Sequence, residues 1–446
     1  MIVPSIDLLD GKAVQLVGGD PDRLEVDAGD PLAVAERFAV AGTLAVIDLD
    51  AALGRGSNRD AVLELVRRYP CNVGGGVRSA DAALELLDAG AERVILGTAA
   101  TPDVLAELPR DRVLAALDAV HDEVVVEGWT SKTGVTVLDR MAELRPLVAG
   151  FLVTFVEHEG SMSGVDPDRV RTLVRAARGE TSAPSHGDAD GDHAAYEHET
   201  NRDCRVIIAG GVRHADEVGM IDRLGADAQV GMGLYTGRID LGDALAAPLR
   251  TDRTDGLWPT VVCDEHGSAL GLAYSNEQSV REAVRTRRGV YWSRSRGGLW
   301  RKGESSGDQQ HLVRIDADCD RDTLRFTVRQ RGAGFCHEGT RTCFGDHGVG
   351  VARLARTVSE RARTAPPGSY TRRLFDDAEL LGSKLHEEAN ELLDATTADE
   401  AAWEAADVVY FALVAAARRG ADLRMIEAEL DRRTKRVRRR KGDAKT

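Results

Sequence analysis

The first 250 residues alternate between short apolar runs and stretches with helical periodicity. Eight of the apolar runs have the length of strands, and they end at Asp7, Asp48, Gly74, Leu96, Asp118, Phe155, Ala209 and Gly231. Eight strand–helix units of this size predict a (β/α)8 barrel over residues 1–250. A doubly wound parallel sheet is the alternative, because it is built from the same alternation.

An internal repeat supports the barrel. The sequence Gly-Gly-Val-Arg at 75–78 recurs 135 positions later at 210–213, and Gly90-Ala91 recurs at the same spacing as Gly225-Ala226. Two half-barrels of similar design would produce this period.

One segment of the barrel region lacks periodicity. Residues 179–203 are polar throughout, which predicts a mobile surface insertion before the seventh strand. Its histidines could bind a metal, although a solvated loop is the simpler interpretation; they are His186, His193 and His198.

The pattern changes twice after the barrel. Residues 254–345 hold short β patterns, which predict a mainly-β middle domain. Residues 346–368 end in Pro-Pro-Gly and predict a linker. From 369 to 446 the apolar residues keep helical spacing, which predicts an all-α C-terminal domain.

Composition suits a multidomain globular protein. The chain has 446 residues, 43% apolar and 29% charged, so we expect about three domains. No apolar run approaches the ~20 residues of a membrane span, and the N-terminus lacks the basic start of a signal peptide, which predicts a cytoplasmic protein with no membrane partner. A net charge of −15 argues against a nucleic-acid partner. The six cysteines are then reduced thiols and candidate metal ligands.

Two aspartates suggest acid–base chemistry in the barrel. Asp7 and Asp118 end the first and fifth strands, which lie opposite each other in an eight-stranded ring. One carboxylate could take a proton while the other donates one, although either could instead cap a following helix or turn. Residues after strands three, four, seven and eight could cradle a phosphate at each end of a long substrate; they are Gly75, Gly76, Arg78, Gly97, Thr98, Gly210, Gly211 and Gly231.

The barrel region resembles the isomerase family of the histidine pathway. The stretches that carry the resemblance include VPSIDLLDGKAVQLVGGD, VIDLDAA, NVGGGVRS, LDAVHDEVVVEGWT and VTFVEHEGSMSG. It implies conversion of an aldose aminoimidazole carboxamide ribotide to its ketose, with Asp7 and Asp118 as base and acid and Thr154 assisting. The chain departs from the family at three positions, where Gln15 replaces an arginine, Val120 a basic residue and Glu159 an aspartate. Loss of two cations predicts a barrel that is non-catalytic or weak.

The middle domain carries two sets of metal-binding residues. Three thiols, Cys319, Cys336 and Cys343, suit a Zn2+ site with one position left for water. Asp318, Asp320 and Asp322 suit Mg2+, and in an extended segment they would share one face with Cys319 on the other. Cys319 would then meet the other thiols in a second subunit. A buried thiol cluster beside an acidic turn is the alternative.

This domain resembles phosphoribosyl-AMP cyclohydrolase. The stretches SRSRGGLWRKGESSGDQQ, DADCDRDTLRFTV and CHEGTRTCF carry the resemblance. It implies zinc-dependent hydrolytic opening of an adenine ring in a homodimer, with Cys319 of one subunit and Cys336 and Cys343 of its partner as ligands. His337 is the expected proton-transfer group. The expected donors to the ribose phosphate are Ser293, Arg294, Ser295, Arg296, Lys302, Ser306 and Gly307.

Five acidic residues mark the C-terminal domain: Glu387, Glu388, Glu391, Glu404 and Asp407. Glu387 and Glu391 are four positions apart, and Glu404 and Asp407 are three apart, so each of these two pairs lies on one helix face. There the carboxylates suit Mg2+ with pyrophosphate; a solvated acidic face is the alternative. The run GSKLHEEANELL followed by WEAADVVYFALVAAARRG resembles phosphoribosyl-ATP pyrophosphohydrolase. The resemblance implies attack by a metal-activated water, with Lys384 at the phosphates.

The three resemblances name consecutive reactions, and their order resembles the fused histidine-pathway enzymes of fungi. They predict a bifunctional hydrolase that uses Zn2+ and Mg2+, with phosphoribosyl-ATP and phosphoribosyl-AMP as substrates. The alternative is a trifunctional enzyme whose barrel also isomerises the product. A sensor that binds phosphoribosyl ligands without turnover belongs to a different class, and the intact metal ligands speak against it.

Overall fold

The computed structural model describes residues 1–126, 129, 131–180, 204–345 and 350–438. The strands of the N-terminal region are β1 (Ile2–Leu9), β2 (Lys12–Leu16), β3 (Leu24–Gly29), β4 (Leu44–Asp48), β5 (Cys71–Gly74), β6 (Arg93–Leu96), β7 (Val113–Val120), β8 (Glu123–Val126), β9 (Ser131–Thr136), β10 (Gly150–Phe155), β11 (Arg205–Ala209) and β12 (Asp227–Val230). Its helices are α1 (Pro31–Phe38), α2 (Leu49–Leu53), α3 (Arg59–Arg68), α4 (Ala80–Ala89), α5 (Pro102–Ala106), α6 (Val137–Leu144), α7 (Pro167–Arg178), α8 (Ala215–Arg223), α9 (Met232–Tyr235) and α10 (Leu241–Ala246). The insertion predicted over 179–203, with its three histidines, lies outside the described residues from 181 onward.

Eight of these strands form one closed parallel ring, in the order β1, β4, β5, β6, β7, β10, β11 and β12. Pairing of β10 with β7 and of β12 with β1 closes it. The predicted (β/α)8 barrel is therefore confirmed, and the doubly wound sheet is excluded because such a sheet keeps two open edges.

The barrel buries apolar side chains on both faces of its strands. Ile95, Leu114, Leu152 and Ile207 pack together in the interior. Alternate residues such as Val94 face the surrounding helices in a larger core. This two-sided burial explains why the strands read as nearly continuous apolar runs.

Two barrel strands continue into hairpins at the carboxyl end of the ring. β1 pairs antiparallel with β2, which pairs with β3, and β7 pairs antiparallel with β8, which pairs with β9. Asp7 and Asp118 lie where each barrel strand joins its hairpin, opposite Val14 and Val125. The hairpins thus build walls beside both aspartates.

The middle region is rich in β structure, as predicted. A four-stranded sheet has the order β14 (Ala269–Ser275), β13 (Trp258–Asp264), β18 (Leu324–Gln330) and β17 (Gln310–Ala317). A two-stranded hairpin consists of β15 (Val290–Ser293) and β16 (Gly298–Arg301), and helix α11 (Glu277–Thr286) precedes it. Tyr291 and Phe326 pack in this core with ring centroids 5.5 Å apart.

The C-terminal region is helical. It contains α12 (Gly350–Thr364), α13 (Tyr370–Asp376), α14 (Ala378–Asp394), α15 (Ala398–Arg418) and α16 (Leu423–Thr434). In the part of the chain that the structure describes, no helix is long and apolar enough to span a bilayer.

Helix α12 lies inside the stretch predicted as a linker, residues 346–368, and corrects that prediction. Ala355 and Val358 are buried in one apolar cluster with Leu374 and Val414 of the following helices. The Pro-Pro-Gly signal ends this helix and does not mark a free connector. The helical unit therefore begins with α12, well before residue 369.

Contacts join the three units. α10 packs against α11, and Arg281 of α11 forms a 2.5 Å ion pair with Asp243 of α10. His266 of the middle unit approaches Glu427 of α16 at 2.7 Å. Lys435, after α16, pairs with Glu92 of the barrel at 3.4 Å.

Candidate functional site

A cavity of about 860 Å3 opens at the carboxyl end of the barrel and holds Asp7, Asp118, Thr154 and Glu159. Both aspartates lie within strands, so neither caps a helix. The oxygens of Asp7 accept hydrogen bonds from the Ser5 hydroxyl at 2.9 Å and the Gln15 amide at 3.0 Å. Burial outweighs these bonds and raises the pKa of Asp7 to about 6.

Thr154 stands beside Asp118, because the two residues are register partners on β10 and β7. Burial raises the pKa of Asp118, while hydrogen bonds from Trp129 and Thr154 lower it in part. The threonine was expected from the sequence, whereas the bond from Trp129 was missed. Two carboxyl groups on opposite strands, both with raised pKa, can exchange protons with a ligand held between them.

Glu159 adds a third carboxyl group to the cavity. Burial, followed by repulsion from Asp7 and Asp118, raises its pKa to about 7. Gln15 brings an amide and no positive charge to Asp7. The acidic groups therefore keep their protons to a higher pH than exposed carboxyl groups do.

All eight residues expected to cradle phosphates line this same cavity: Gly75, Gly76, Arg78, Gly97, Thr98, Gly210, Gly211 and Gly231. At Gly75, where φ is +89°, a Cβ atom would lie 2.2 Å from the backbone oxygen of Asp48. At Gly231 it would lie 2.3 Å from Gln15 Oε1. The guanidinium of Arg78 donates to the carbonyl oxygens of Ala51 and Ala52 at 3.1 and 3.2 Å.

In the middle unit, Asp318, Asp320 and Asp322 bring their carboxylate oxygens within 4.8 Å of one another. The predicted extended segment is wrong: β17 ends at Ala317, and the aspartates share a turn whose Arg321 has φ of +67°. A hydrogen bond from Thr323 lowers the pKa of Asp322, but burial and repulsion from Asp320 and Asp318 raise it overall. A divalent cation would relieve this repulsion, so the donor set fits Mg2+.

The thiols divide into two places. Cys336 and Cys343 follow β18, and Lys302 lies near both; burial lowers the pKa of this lysine. His337 Nδ1 is 4.0 Å from Cys336 Sγ. Cys319 lies in the exposed acidic turn, and among the described residues it does not join the other two thiols in a group of three ligands. One chain therefore supplies two of the three expected thiolates at one place.

The expected donors to the ribose phosphate are only partly free. Ser293 is the last residue of β15, and the turn to β16 holds Arg294, Ser295 and Arg296. The Oγ of Ser293 accepts a hydrogen bond from the Arg296 backbone N–H at 3.4 Å. The Arg294 guanidinium lies 3.9 Å from the ring centre of Tyr274. Lys302 is buried, whereas Ser306 and Gly307 lie in an exposed loop in which Ser306 Oγ accepts from the Asp308 backbone.

In the helical unit, α14 and α15 bring together Glu388, Glu391 and Glu404, whose oxygens lie within 4.8 Å of one another. Loss of hydration and repulsion, first from Glu391, raise the pKa of Glu404; Asp407 adds to this effect. Glu387 lies outside this group of three and pairs with Lys384, whose Nζ is 2.9 Å from both Glu387 and Glu388. The three clustered carboxylates fit a divalent cation, and Lys384 places a positive charge beside them.

Comparison with known proteins accounts for all three units. The model of the family described as "Histidine biosynthesis protein" matches residues 1–187. An imidazole carboxamide isomerase of Methanocaldococcus jannaschii is 32% identical over 256 residues, which cover 55% of this chain and 98% of that protein. The chain belongs to the histidine biosynthesis protein family.

Models for phosphoribosyl-AMP cyclohydrolase and phosphoribosyl-ATP pyrophosphohydrolase match residues 271–345 and 351–434. The resemblances inferred from sequence, and their order, are confirmed.

Fungal proteins named for histidine biosynthesis are also similar to this chain. A bifunctional protein of Schizosaccharomyces pombe is 50% identical over 208 residues, which cover 47% of this chain. A trifunctional protein of Neurospora crassa is 51% identical over 209 residues. The chain covers 49% of the length of the first and 24% of the second, so it spans half or less of these relatives.

Proposed function

We propose that the chain catalyses two consecutive hydrolytic steps of histidine biosynthesis in the cytoplasm. The helical unit releases pyrophosphate from phosphoribosyl-ATP, and the middle unit opens the adenine ring of the resulting phosphoribosyl-AMP. The observation that carries the proposal is the presence of one convergent carboxylate cluster in each unit that matches a hydrolase family.

For the first step, Mg2+ would be held by Glu388, Glu391 and Glu404, where it supplies charge neutralisation and a more acidic water. Lys384 lies beside this cluster and can orient a phosphate oxygen, since its ammonium group is a mobile point charge. Asp407, one turn after Glu404, adds negative charge to the site and favours occupancy by the cation.

For the second step, the donors are Cys319, Cys336 and Cys343 for Zn2+ and the acidic turn for Mg2+; bound zinc supplies hydroxide at neutral pH. His337 lies next to Cys336, where it can hold or transfer a proton. Because Cys319 stands apart from the other two thiols within one chain, we propose a homodimer that completes each zinc site across its interface.

The second candidate function is isomerisation in the barrel. The observation that favours it is one cavity that holds Asp7, Asp118 and Thr154 together with the glycine turns. The observation that opposes it is the neutral Gln15 at Asp7, which brings no positive charge to a site expected to hold phosphates. We therefore propose that the barrel is non-catalytic or weak, with the three-step enzyme as the alternative.

Product analysis tests both proposals. Purified protein receives phosphoribosyl-ATP with Mg2+ and Zn2+, and the products are separated by a method that resolves the aldose from the ketose. We expect pyrophosphate and the ring-opened aldose. Cys343→Ser should halt the reaction at phosphoribosyl-AMP, and Glu404→Gln should halt it before pyrophosphate release.

Two outcomes would change the assignment. Intact phosphoribosyl-ATP that binds without turnover would replace the hydrolase proposal with a ligand sensor. Ketose formation that Asp7→Asn stops, while both hydrolytic steps continue, would establish the three-step enzyme.

A further inference from the structure

The acidic turn of the middle unit is anchored on the barrel through Arg321. Its Nη1 donates a 2.6 Å hydrogen bond to the carbonyl oxygen of Asp318. Its Nε and Nη2 donate to the two carboxylate oxygens of Asp222, each at 3.1 Å. One guanidinium group therefore links the backbone of the turn to helix α8 of the barrel.

Asp222 is a buried anchor for this link, because only 6% of its side chain is exposed. Its Oδ1 also accepts a 2.6 Å hydrogen bond from the amino group of Met1, which directly precedes the first barrel strand. The main chain of Arg321 is held as well: its carbonyl oxygen accepts a 2.8 Å hydrogen bond from the Arg250 amide at the end of the barrel unit.

These contacts hold the turn in a conformation that its own sequence disfavours. Arg321 has φ of +67°, in the left-handed region that side chains other than glycine rarely adopt. Such a conformation persists where the surroundings determine it. Because residue 321 sets the path of the chain between Asp320 and Asp322, the barrel contacts bear directly on how the three carboxylates converge.

We propose that the barrel has a structural function in ring opening, separate from any isomerase chemistry: through Asp222 and Arg321 it positions the acidic turn for a divalent cation. The inference rests on the proposed function of that turn as the magnesium site of the cyclohydrolase unit. Asp222 acts through Arg321 and is a positioning residue.

A second ion pair across the same interface provides a matched control. Arg281 and Asp243 join α11 to α10 at 2.5 Å, and neither residue belongs to the acidic turn. Loss of this pair removes one ion pair between the two units without touching the acidic turn; the pair is more exposed than Asp222, at 50% and 32% against 6%. The comparison therefore reports positioning when both variants keep the wild-type unfolding temperature.

The experiment measures Mn2+ binding from the electron paramagnetic resonance signal of the free ion. The full chain carries Glu391→Gln and Glu404→Gln, so that the helical cluster does not compete for the ion. In this background Asp222→Asn should weaken Mn2+ binding by about ten-fold or more, as loss of groups that orient metal ligands does. Asp243→Asn should change it by less than about two-fold. Asp222→Glu should restore part of the loss.

Further variants keep the result unambiguous. If Asp222→Asn does not fold, Arg321→Lys replaces it, because an ammonium group keeps the charge but cannot bridge both partners. Equal effects of Asp222→Asn and Asp243→Asn, or no effect of either, overturn the inference.

Asp320→Asn tests whether the acidic turn binds the ion. If this variant leaves Mn2+ binding unchanged, the proposed metal site is wrong, and so is the inference that rests on it. If Asp320→Asn abolishes binding while Asp222→Asn does not weaken it, only the inference is wrong.

Discussion

At the scale of single residues, carboxyl groups that crowd one another mark all three candidate sites. In the barrel cavity burial raises the pKa of Asp7 to about 6, and burial with repulsion from Asp7 and Asp118 raises the pKa of Glu159 to about 7. In the other two units the carboxylates lie closer to water, and their crowding favours a cation. The same residue type therefore lines a buried cavity with raised pKa values in the barrel and forms candidate cation sites in the other two units.

Replacement of Glu159 should change how stability depends on pH. Its pKa rises to about 7 on folding, so the fold favours the protonated form. The stability that the protonated Glu159 side chain contributes to the fold is fully present below about pH 4.5 and is lost as the pH rises through about 7. Glu159→Gln should therefore stabilise the protein at pH 8 by about 2–3 kcal/mol and change it little at pH 4.5.

Thermal unfolding at pH 4.5, 6 and 8 measures this difference. Glu107→Gln, at an exposed position, supplies the control and should change stability little. A Glu159→Gln stabilisation that does not grow with pH would contradict the assigned burial of this carboxyl group.

Two neighbouring glutamates of α14 should differ in their effect on pyrophosphate release. Glu391 belongs to the cluster of three carboxylates, whereas Glu387 pairs with Lys384 outside it. Glu391→Gln should lower kcat/KM by about 100-fold or more, and Glu387→Gln by less than about ten-fold. A phosphate-release assay coupled to pyrophosphatase compares them. Equal losses would show that Glu387 is also a ligand.

At the scale of elements, short turns after strands shape the barrel cavity and the acidic site of the middle unit, whereas two helices shape the carboxylate cluster of the helical unit. The barrel cavity is lined by glycine turns, and the acidic turn follows β17 directly. The conformation of glycine turns such as that at Gly75 depends on the absence of a side chain, because an added Cβ would clash with neighbouring atoms. The conformation of the acidic turn depends on contacts with the barrel.

The glycine turns should tolerate substitution unequally. At Gly75 a Cβ atom would strike the backbone of Asp48, and φ is positive, so Gly75→Ala should destabilise the protein by about 2–4 kcal/mol. At Gly97 no atom lies within 4 Å of the added Cβ, and Gly97→Ala should change stability by about 0.5 kcal/mol or less. Urea unfolding followed by circular dichroism compares the two variants. Similar losses would show that the Gly75 turn relaxes.

At the scale of the whole molecule, the three units share contacts, but among the described residues the three thiols proposed as zinc ligands do not form one group. The barrel, middle and helical units meet through ion pairs such as Arg281–Asp243 and His266–Glu427. Cys319 nevertheless stands apart from Cys336 and Cys343 among the described residues. In the homodimer proposed above, a second subunit would complete each zinc site.

Dimers that combine two different cysteine variants should recover the ring-opening activity that each variant lacks by itself. Cys319→Ser and Cys336→Ser each remove a ligand from every site of a homodimer. In a mixed dimer one site receives both changes and the other receives neither, so co-expression should restore about one quarter of the wild-type ring-opening rate.

The pair Cys336→Ser and Cys343→Ser is the control for this experiment. Both ligands come from the same subunit at each site, so their mixture should stay inactive. Absence of recovery in the first mixture would place all three thiolates in one chain and contradict the shared site.

The sequence by itself determined the eight barrel strands, the β-rich middle region and the carboxylate pattern of α14 and α15. These features depend on local periodicity and on residue spacing within one element, which a chain carries without knowledge of its neighbours. Helix α12 was not predicted, because the Pro-Pro-Gly signal outweighed the apolar spacing that includes Ala355 and Val358.

Only the tertiary structure decided which distant groups meet. The link from Arg321 to Asp222 joins residues almost one hundred positions apart, and the bond from Trp129 to Asp118 crosses a hairpin. The burial that raises the pKa of Glu159 depends on strands from the whole ring. Such contacts arise from packing between elements, and one sequence taken alone carries no signal for them.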